Sequence, residues 1–255
     1  MMTRIALVTG ATAGFGNAIC RTLLNAGYSV IGTGRRSERL AQLQQEYGKH
    51  FFPLTFDISN RHAAENALKT LPPQWQAIDL LVNNAGLALG LESADKVSLD
   101  DWDKMIDTNV KGLVTMTRLV LPQMVARNQG HIINFGSITG TYPYPGGNVY
   151  GGTKAFVKQF SLNLRADLAG TNIRVSNVEP GLCGGTEFSN VRFKGDNARA
   201  EKLYENVQYV TLQDIANIVL WLNQQPEHVN INRIEVMPTA QTFAPLNVAR
   251  NLNLD

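Results

Sequence analysis

Short apolar runs alternate along most of the chain with longer stretches in which apolar positions return every three or four residues. The runs at Ile5–Val8, Ser29–Gly32, Phe51–Thr55, Asp79–Val82, His131–Phe135, Ile173–Val178 and Arg233–Met237 predict strands. The periodic stretches at Phe15–Asn25, Ser37–Tyr47, Arg61–Thr70, Ser98–Leu121, Tyr150–Leu168 and Thr211–Asn223 predict helices. Strands that are apolar on both faces and separated by helices specify a parallel sheet covered on each side, an α/β doubly wound domain. Boundary residues sharpen this reading. Gly27 suits a left-handed helix end, Ser37 and Thr211 suit N-caps, and Pro122 is expected to close the long helix before it. Two stretches break the rhythm: residues 180–200, rich in Gly, Phe, Asn and basic side chains, and the tail 238–255. The first follows a strand whose carboxyl end should face a ligand crevice, so it is expected to act as a lid over about 181–200.

With 255 residues, the chain suits one domain, 1–255. A formal net charge of only +2 argues against a nucleic-acid partner. Cys20 and Cys183 lie too far apart in sequence to suggest a disulfide framework, which points to reduced thiols and a cytoplasmic protein. His50, His62, His131 and His228 share no metal-ligand spacing, so no metal is expected. The run Ile5–Val8 stops at Thr9-Gly10, too soon for a secretory core, and no segment approaches a membrane span. A soluble, unanchored protein is expected.

The first strand runs into Thr9-Gly10-Ala11-Thr12-Ala13-Gly14-Phe15-Gly16, a glycine-rich turn that opens a helix. Such a turn lets backbone approach a pyrophosphate, which the amino end of the helix then stabilises with N–H groups and dipole. Gly10, Thr12, Gly14, Phe15 and Gly16 are therefore cofactor-binding candidates. After the second strand, an NAD site needs a carboxylate for the ribose hydroxyls. Arg35-Arg36 stands there instead, and two guanidinium forks suit a 2′-phosphate, so NADP is the expected cofactor. Tyr150 and Lys154 lie four apart on a predicted helix and share a face. A tyrosine, with its pKa near 10, serves as a base at neutrality only if nearby positive charge favours the phenolate. Lys154 is the expected source of that charge. Ser137, at the end of the preceding strand, is placed to donate to a substrate oxygen while Tyr150 takes or returns the proton.

The set Thr9-Gly10…Gly14-Phe15-Gly16, Asn83-Asn84-Ala85-Gly86, Asn109, Ser137, Tyr150…Lys154 and Pro180-Gly181 resembles the short-chain dehydrogenase/reductase family in residue type and order. The resemblance implies a Rossmann-type seven-stranded parallel sheet with a nicotinamide cofactor across its carboxyl edge. It implies catalytic roles for Ser137, Tyr150, Lys154 and Asn109, the last bending a helix and holding water in a proton relay. It places Asp57 at the adenine, with Ile58 and Asn84 beside the cofactor and Lys154 on the nicotinamide ribose. It also implies that Pro180, Gly181, Leu182, Thr186 and Phe188 contact the nicotinamide end, although Cys183-Gly184-Gly185-Thr186 lengthens the loop most members carry.

Residues 181–196, with Asn84–Gly90, Gly146–Tyr150 and Val229–Asn232, resemble the bacterial NADP-dependent 3-hydroxy acid dehydrogenases. That likeness implies serine, L-allo-threonine or 3-hydroxypropionate/malonic semialdehyde as the substrate type, and a homotetramer paired through the two long helices. Arg192 is the candidate for the substrate carboxylate because its fork matches one bidentately, with a solvated basic loop as the open alternative. A ketone or 3-oxoacyl reductase is the neighbouring reading. A non-catalytic NADP-sensing regulator is a more distant one, since it would have no need of Ser137, Tyr150 and Lys154 together.

Overall fold

The computed structural model describes residues 3–243. Seven strands form one sheet: β1 Ile5–Thr9, β2 Ser29–Gly34, β3 Phe51–Thr55, β4 Leu80–Asn83, β5 Gly130–Phe135, β6 Ile173–Pro180 and β7 Arg233–Val236. They lie in the order β3-β2-β1-β4-β5-β6-β7, every neighbouring pair parallel. The two-residue period of a strand explains why these segments read as unbroken apolar runs. In β1, Ala6 and Val8 enter one core while Ile5 and Leu7 enter the other. The first core is covered by α1 (Gly14–Asn25), α2 (Ser37–Tyr47) and α9 (Leu212–Gln224). The second lies under α3 (Arg61–Lys69), α5 (Leu113–Arg127) and α6 (Asn148–Asp167).

Gly27 is left-handed and closes α1, and Thr211 forms a capping box with Asp214 at the start of α9. Three expectations need correction. Ser37 does not cap α2: it is the helix's first residue, and Arg36 stands at the cap with no side-chain bond to the helix. Residues 98–121 are not one regular helix. α4 (Leu99–Ile106) passes into a π-helical turn at Asp107–Gly112 and then into α5. Pro122 does not end that helix either. α5 runs on to Arg127 and stops where Asn128 turns left-handed, at φ 50°. Pro122 and Arg118 are both exposed, so water can satisfy the carbonyl that the proline leaves unbonded, while Val120 and Met124 keep the apolar face buried.

The segment 181–200 also holds more order than its composition suggests, with α7 (Phe188–Arg192) and α8 (Asn197–Lys202), the latter capped by Asp196. Helices of one or two turns leave no periodic signal to read. The tail expected over 238–255 lies outside the described residues beyond 243.

Pro122→Ala should restore one helical hydrogen bond on the solvent side of α5. We expect a higher urea midpoint, by roughly 1–3 kcal/mol of stability after allowing for a freer unfolded chain. An unchanged or lower midpoint would show that α5 depends on the proline.

Candidate active site

β1 and β4 are neighbours, yet the chain leaves them toward opposite faces of the sheet, which opens a crevice above their carboxyl ends. The two strand ends are stitched together there. Thr9 Oγ1 accepts from the backbone N–H groups of Asn84 and Ala85, each at 3.0 Å, and Asn84 Nδ2 donates to the Thr9 carbonyl at 2.8 Å. Above the stitch lies a cleft of about 550 Å³. It brings together most of the expected site: Gly10, Thr12, Gly14, Phe15, Arg35, Arg36, Asp57, Ile58, Asn84, Ser137, Tyr150, Lys154, Pro180, Gly181, Leu182, Thr186, Phe188 and Arg192 all line it. Gly16 does not. It packs beneath the turn, where an added β-carbon would fall 2.1 Å from the Gly10 carbonyl oxygen. A residue with a side chain there would drive the turn away from the helix. α1 starts at Gly14 with no side-chain cap and no acid in its first turn, so its leading N–H groups remain available to an anion. This cradle fits a dinucleotide pyrophosphate.

The cations beyond it are arranged differently from the sequence expectation. Arg35 is largely exposed and faces Asp57 at 3.7 Å. Arg36 turns inward, its Nε and Nη2 on Thr12 Oγ1, each at 3.2 Å, and its Nη1 on Glu187 Oε2 at 2.8 Å. Arg39, missed in the sequence, joins it. Its Nη1 reaches Glu187 Oε1 at 2.8 Å and the Thr12 carbonyl at 3.1 Å. Its spacing of three residues from Arg36, across the start of α2, was the available signal. Asp57 commits Oδ1 to the backbone and hydroxyl of Ser59. Burial works against its charge, but those bonds and Arg35 hold its pKa below the usual value.

At the other end, Ser137, Tyr150 and Lys154 are all buried. Ser137 Oγ accepts from the Thr139 N–H at 3.2 Å, so it starts a short turn as well as facing the cleft. Lys154 Nζ donates to the Phe135 carbonyl at 2.8 Å, and no carboxylate among the described residues pairs with it. Burial alone pushes its ammonium down to about 8. Burial likewise pushes the Tyr150 phenol up, with Tyr144 adding to the rise, while the Ser137 hydroxyl and the Arg192 charge pull it back. The expected lowering by Lys154 does not appear among the main influences; its Nζ stands 5.8 Å from the Tyr150 ring centre.

Asn109 lies in the π-helical turn, outside the lining of the cleft. Its Nδ2 donates to the Leu87 carbonyl and its Oδ1 accepts from the Leu87 N–H, both at 2.8 Å. A β-carbon on Gly86 would meet Asn109 Oδ1 at 3.2 Å and Lys154 Nζ at 3.4 Å. Glycine thus leaves a small polar space between the two side chains.

Arg192 reaches the cleft from α7, with its guanidinium carbon 5.7 Å from the Tyr150 ring centre and 5.2 Å from that of Tyr144. Its Nε donates to the Gly90 carbonyl at 3.2 Å and its Nη2 to the Tyr144 hydroxyl. Tyr144 was not foreseen; it sits in a turn that carries no periodic signal. Gln241 was also missed, in the tail, where its Oε1 accepts from the Leu182 N–H at 2.7 Å. Together with the pairing of Cys183 and Val210, it pins the lengthened loop after β6. Among the described residues, no cluster of three or more His, Cys, Asp or Glu could hold a metal, and no helix is long and apolar enough to cross a membrane.

This assembly of glycine cradle, strand-end serine and helical Tyr-Lys pair defines a class of oxidoreductase. The chain belongs to the short-chain dehydrogenase family, which residues 4–197 match. Within it, the chain is 74% identical over 250 residues to a probable NADP-dependent dehydrogenase of Haemophilus influenzae, covering 98% of this chain and 99% of that one. It is 60% identical over 246 residues to the NADP-dependent 3-hydroxy acid dehydrogenase YdfG of Escherichia coli K12, covering 96% and 99%. A solved closed form of serine dehydrogenase complexed with NADP+ superposes with a TM-score of 0.96 at 60% identity, covering 97% of this chain and 100% of that chain.

The buried lysine has a measurable cost in the free protein. Its folded-state pKa of about 8 lies below the unfolded value near 10.5. Between those values the unfolded chain binds the extra proton, so stability rises with pH across that window. Lys154→Met should therefore raise the urea midpoint at pH 7, by up to about 3 kcal/mol of stability, with the advantage over the parent shrinking toward pH 10. An advantage that stays flat across that range would assign the titration to another group.

Proposed function

We propose that the protein is an NADP-dependent dehydrogenase that interconverts small 3-hydroxy acids and their 3-oxo acids, of the serine, L-allo-threonine and 3-hydroxypropionate/malonic semialdehyde type. The observation that carries this reading is the Arg192 guanidinium 5.7 Å from the Tyr150 ring, inside the cleft that holds Ser137 and Lys154. A carboxylate carried close to the reacting carbon needs a cation at that range, because an unpaired anion is costly to bury. Arg192 Nη1 has no partner among the described residues and is the group assigned to it. The names of the relatives and the NADP+ in the solved neighbour support the cofactor and the substrate class.

Bound NADP+ supplies the hydride acceptor, and NADPH the donor in reverse. Ser137 donates to the substrate oxygen and Tyr150 exchanges its proton. Burial keeps the Tyr150 phenol protonated, the form that carries the proton a carbonyl oxygen takes up in reduction. Lys154 holds the nicotinamide ribose, and Asn109 keeps the backbone at Leu87 in place beside it. Arg36, with Arg35 and Arg39 nearby, receives the 2′-phosphate. The chain acts as one domain with residues 181–200 as its lid. Exposed Val125 on α5, with Phe156 and Leu162 on α6, support pairing of copies through those helices into a homotetramer. The unpaired cysteines fit a reducing cytoplasm.

Tyr150→Phe keeps the ring and removes the proton, so NADP+ should still bind while turnover falls by at least about a hundredfold. Near-normal turnover would take Tyr150 out of the chemistry. The substrate reading is tested with serine, L-allo-threonine, 3-hydroxypropionate and uncharged alcohols, each assayed with NADP+ and NAD+. Arg192→Leu should lower kcat/KM for the acids by about tenfold or more, about 1.4 kcal/mol, and spare the alcohols. Equal losses for both classes would make Arg192 a support of the lid and not a reader of the carboxylate.

A further inference from the structure

Glu187 is an acid placed where the cofactor site calls for positive charge. It stands at the start of α7 in the lid and spends both carboxylate oxygens on the site's arginines, Oε2 on Arg36 and Oε1 on Arg39, each at 2.8 Å. Burial would lift its pKa, but the hydrogen bonds and charges of the two guanidinium groups hold it below the usual carboxylate value. Arg36 has its remaining nitrogens on Thr12, and Arg39 adds a bond to the Thr12 carbonyl. Arg36 thus has all three guanidinium nitrogens on protein groups and Arg39 its Nη1, with a carboxylate in the part a phosphate would take.

We infer that Glu187 competes with the cofactor's 2′-phosphate for Arg36, and so sets how strongly the enzyme prefers NADP over NAD. This rests on the reading that Arg36 receives the 2′-phosphate. A phosphate monoester is close to dianionic at neutral pH, and its oxygens need the same guanidinium N–H groups that Glu187 holds. Two anions cannot share one fork without repulsion, so Arg36 must turn from Glu187 toward the phosphate while Arg39 keeps the lid carboxylate. NAD lacks the phosphate and leaves both bonds intact. The acid therefore tempers NADP affinity and leaves NAD affinity largely alone. It also ties the cap residue before the lid's helix to what occupies the arginines, and Arg192 stands at the other end of that helix.

The test is dissociation constants for NADP+ and NAD+ on the intact protein, for the parent, Glu187→Gln, Glu187→Ala and Arg36→Leu. Both neutral replacements of Glu187 should tighten NADP+ by about threefold or more and leave NAD+ within about twofold, and the gain should shrink near 1 M salt because its origin is Coulombic. A purely structural role for Glu187 would move both cofactors together and would ignore salt. NADP+ affinity that is unchanged or weaker in the Glu187 variants, while Arg36→Leu abolishes the preference for NADP+, overturns the competition alone. A preference that survives Arg36→Leu overturns the placement of the phosphate itself.

Discussion

The cleft depends on one small set of half-buried bonds, those between Thr9 and the Asn84-Ala85 segment. They lock together two strand ends at the place where the chain turns away in opposite directions. Bonds of this kind are modest in net terms but expensive to leave unmade once the groups are buried. From this stitch the rest follows by contact. On one side the next residue is Gly10, where the cradle begins. On the other, the same loop carries Gly86 against Asn109 and Lys154, Leu87 clamped by Asn109, and Gly90, whose carbonyl accepts from Arg192. The glycine turn, the lysine and the lid are thus referenced to one point on the sheet.

Around that rigid point the site accepts electrostatic strain. Lys154 is buried with the Phe135 carbonyl as its hydrogen-bond partner among the described residues, and Tyr150 is buried with its phenol pushed further from ionisation. Neither arrangement favours the fold of the free protein. Sites that carry chemistry commonly trade stability in this way.

The segment 181–200 is held in another manner. α7 and α8 contribute little to either core, and the segment is fastened at its rim by Glu187 on two arginines, by Arg192 on Gly90 and Tyr144, and by Lys194 on Asp101. Partly exposed ion pairs contribute little stability individually and exchange readily for other polar partners. Phe188 adds apolar packing against Tyr150, with ring centres 5.8 Å apart.

The sequence by itself determined the sheet and the edge at which Ser137, Tyr150 and Lys154 gather. Runs apolar on both faces have one economical home, a covered parallel sheet, and the glycine turn, Ser137 and the Tyr150–Lys154 spacing are local signals that survive without knowledge of packing. Only the tertiary structure decided where the charges go. Arg36, Arg39 and Glu187 meet although Glu187 lies 151 residues from Arg36, and nothing in their neighbourhoods along the chain announces the pairing. Arg35, adjacent to Arg36 in sequence, is turned toward Asp57 because successive residues at the start of a helix point in different directions. Pro122 read as a stop because local chemistry forbids its hydrogen bond. The fold overruled it by placing the orphaned carbonyl in water and the neighbouring apolar side chains in the core.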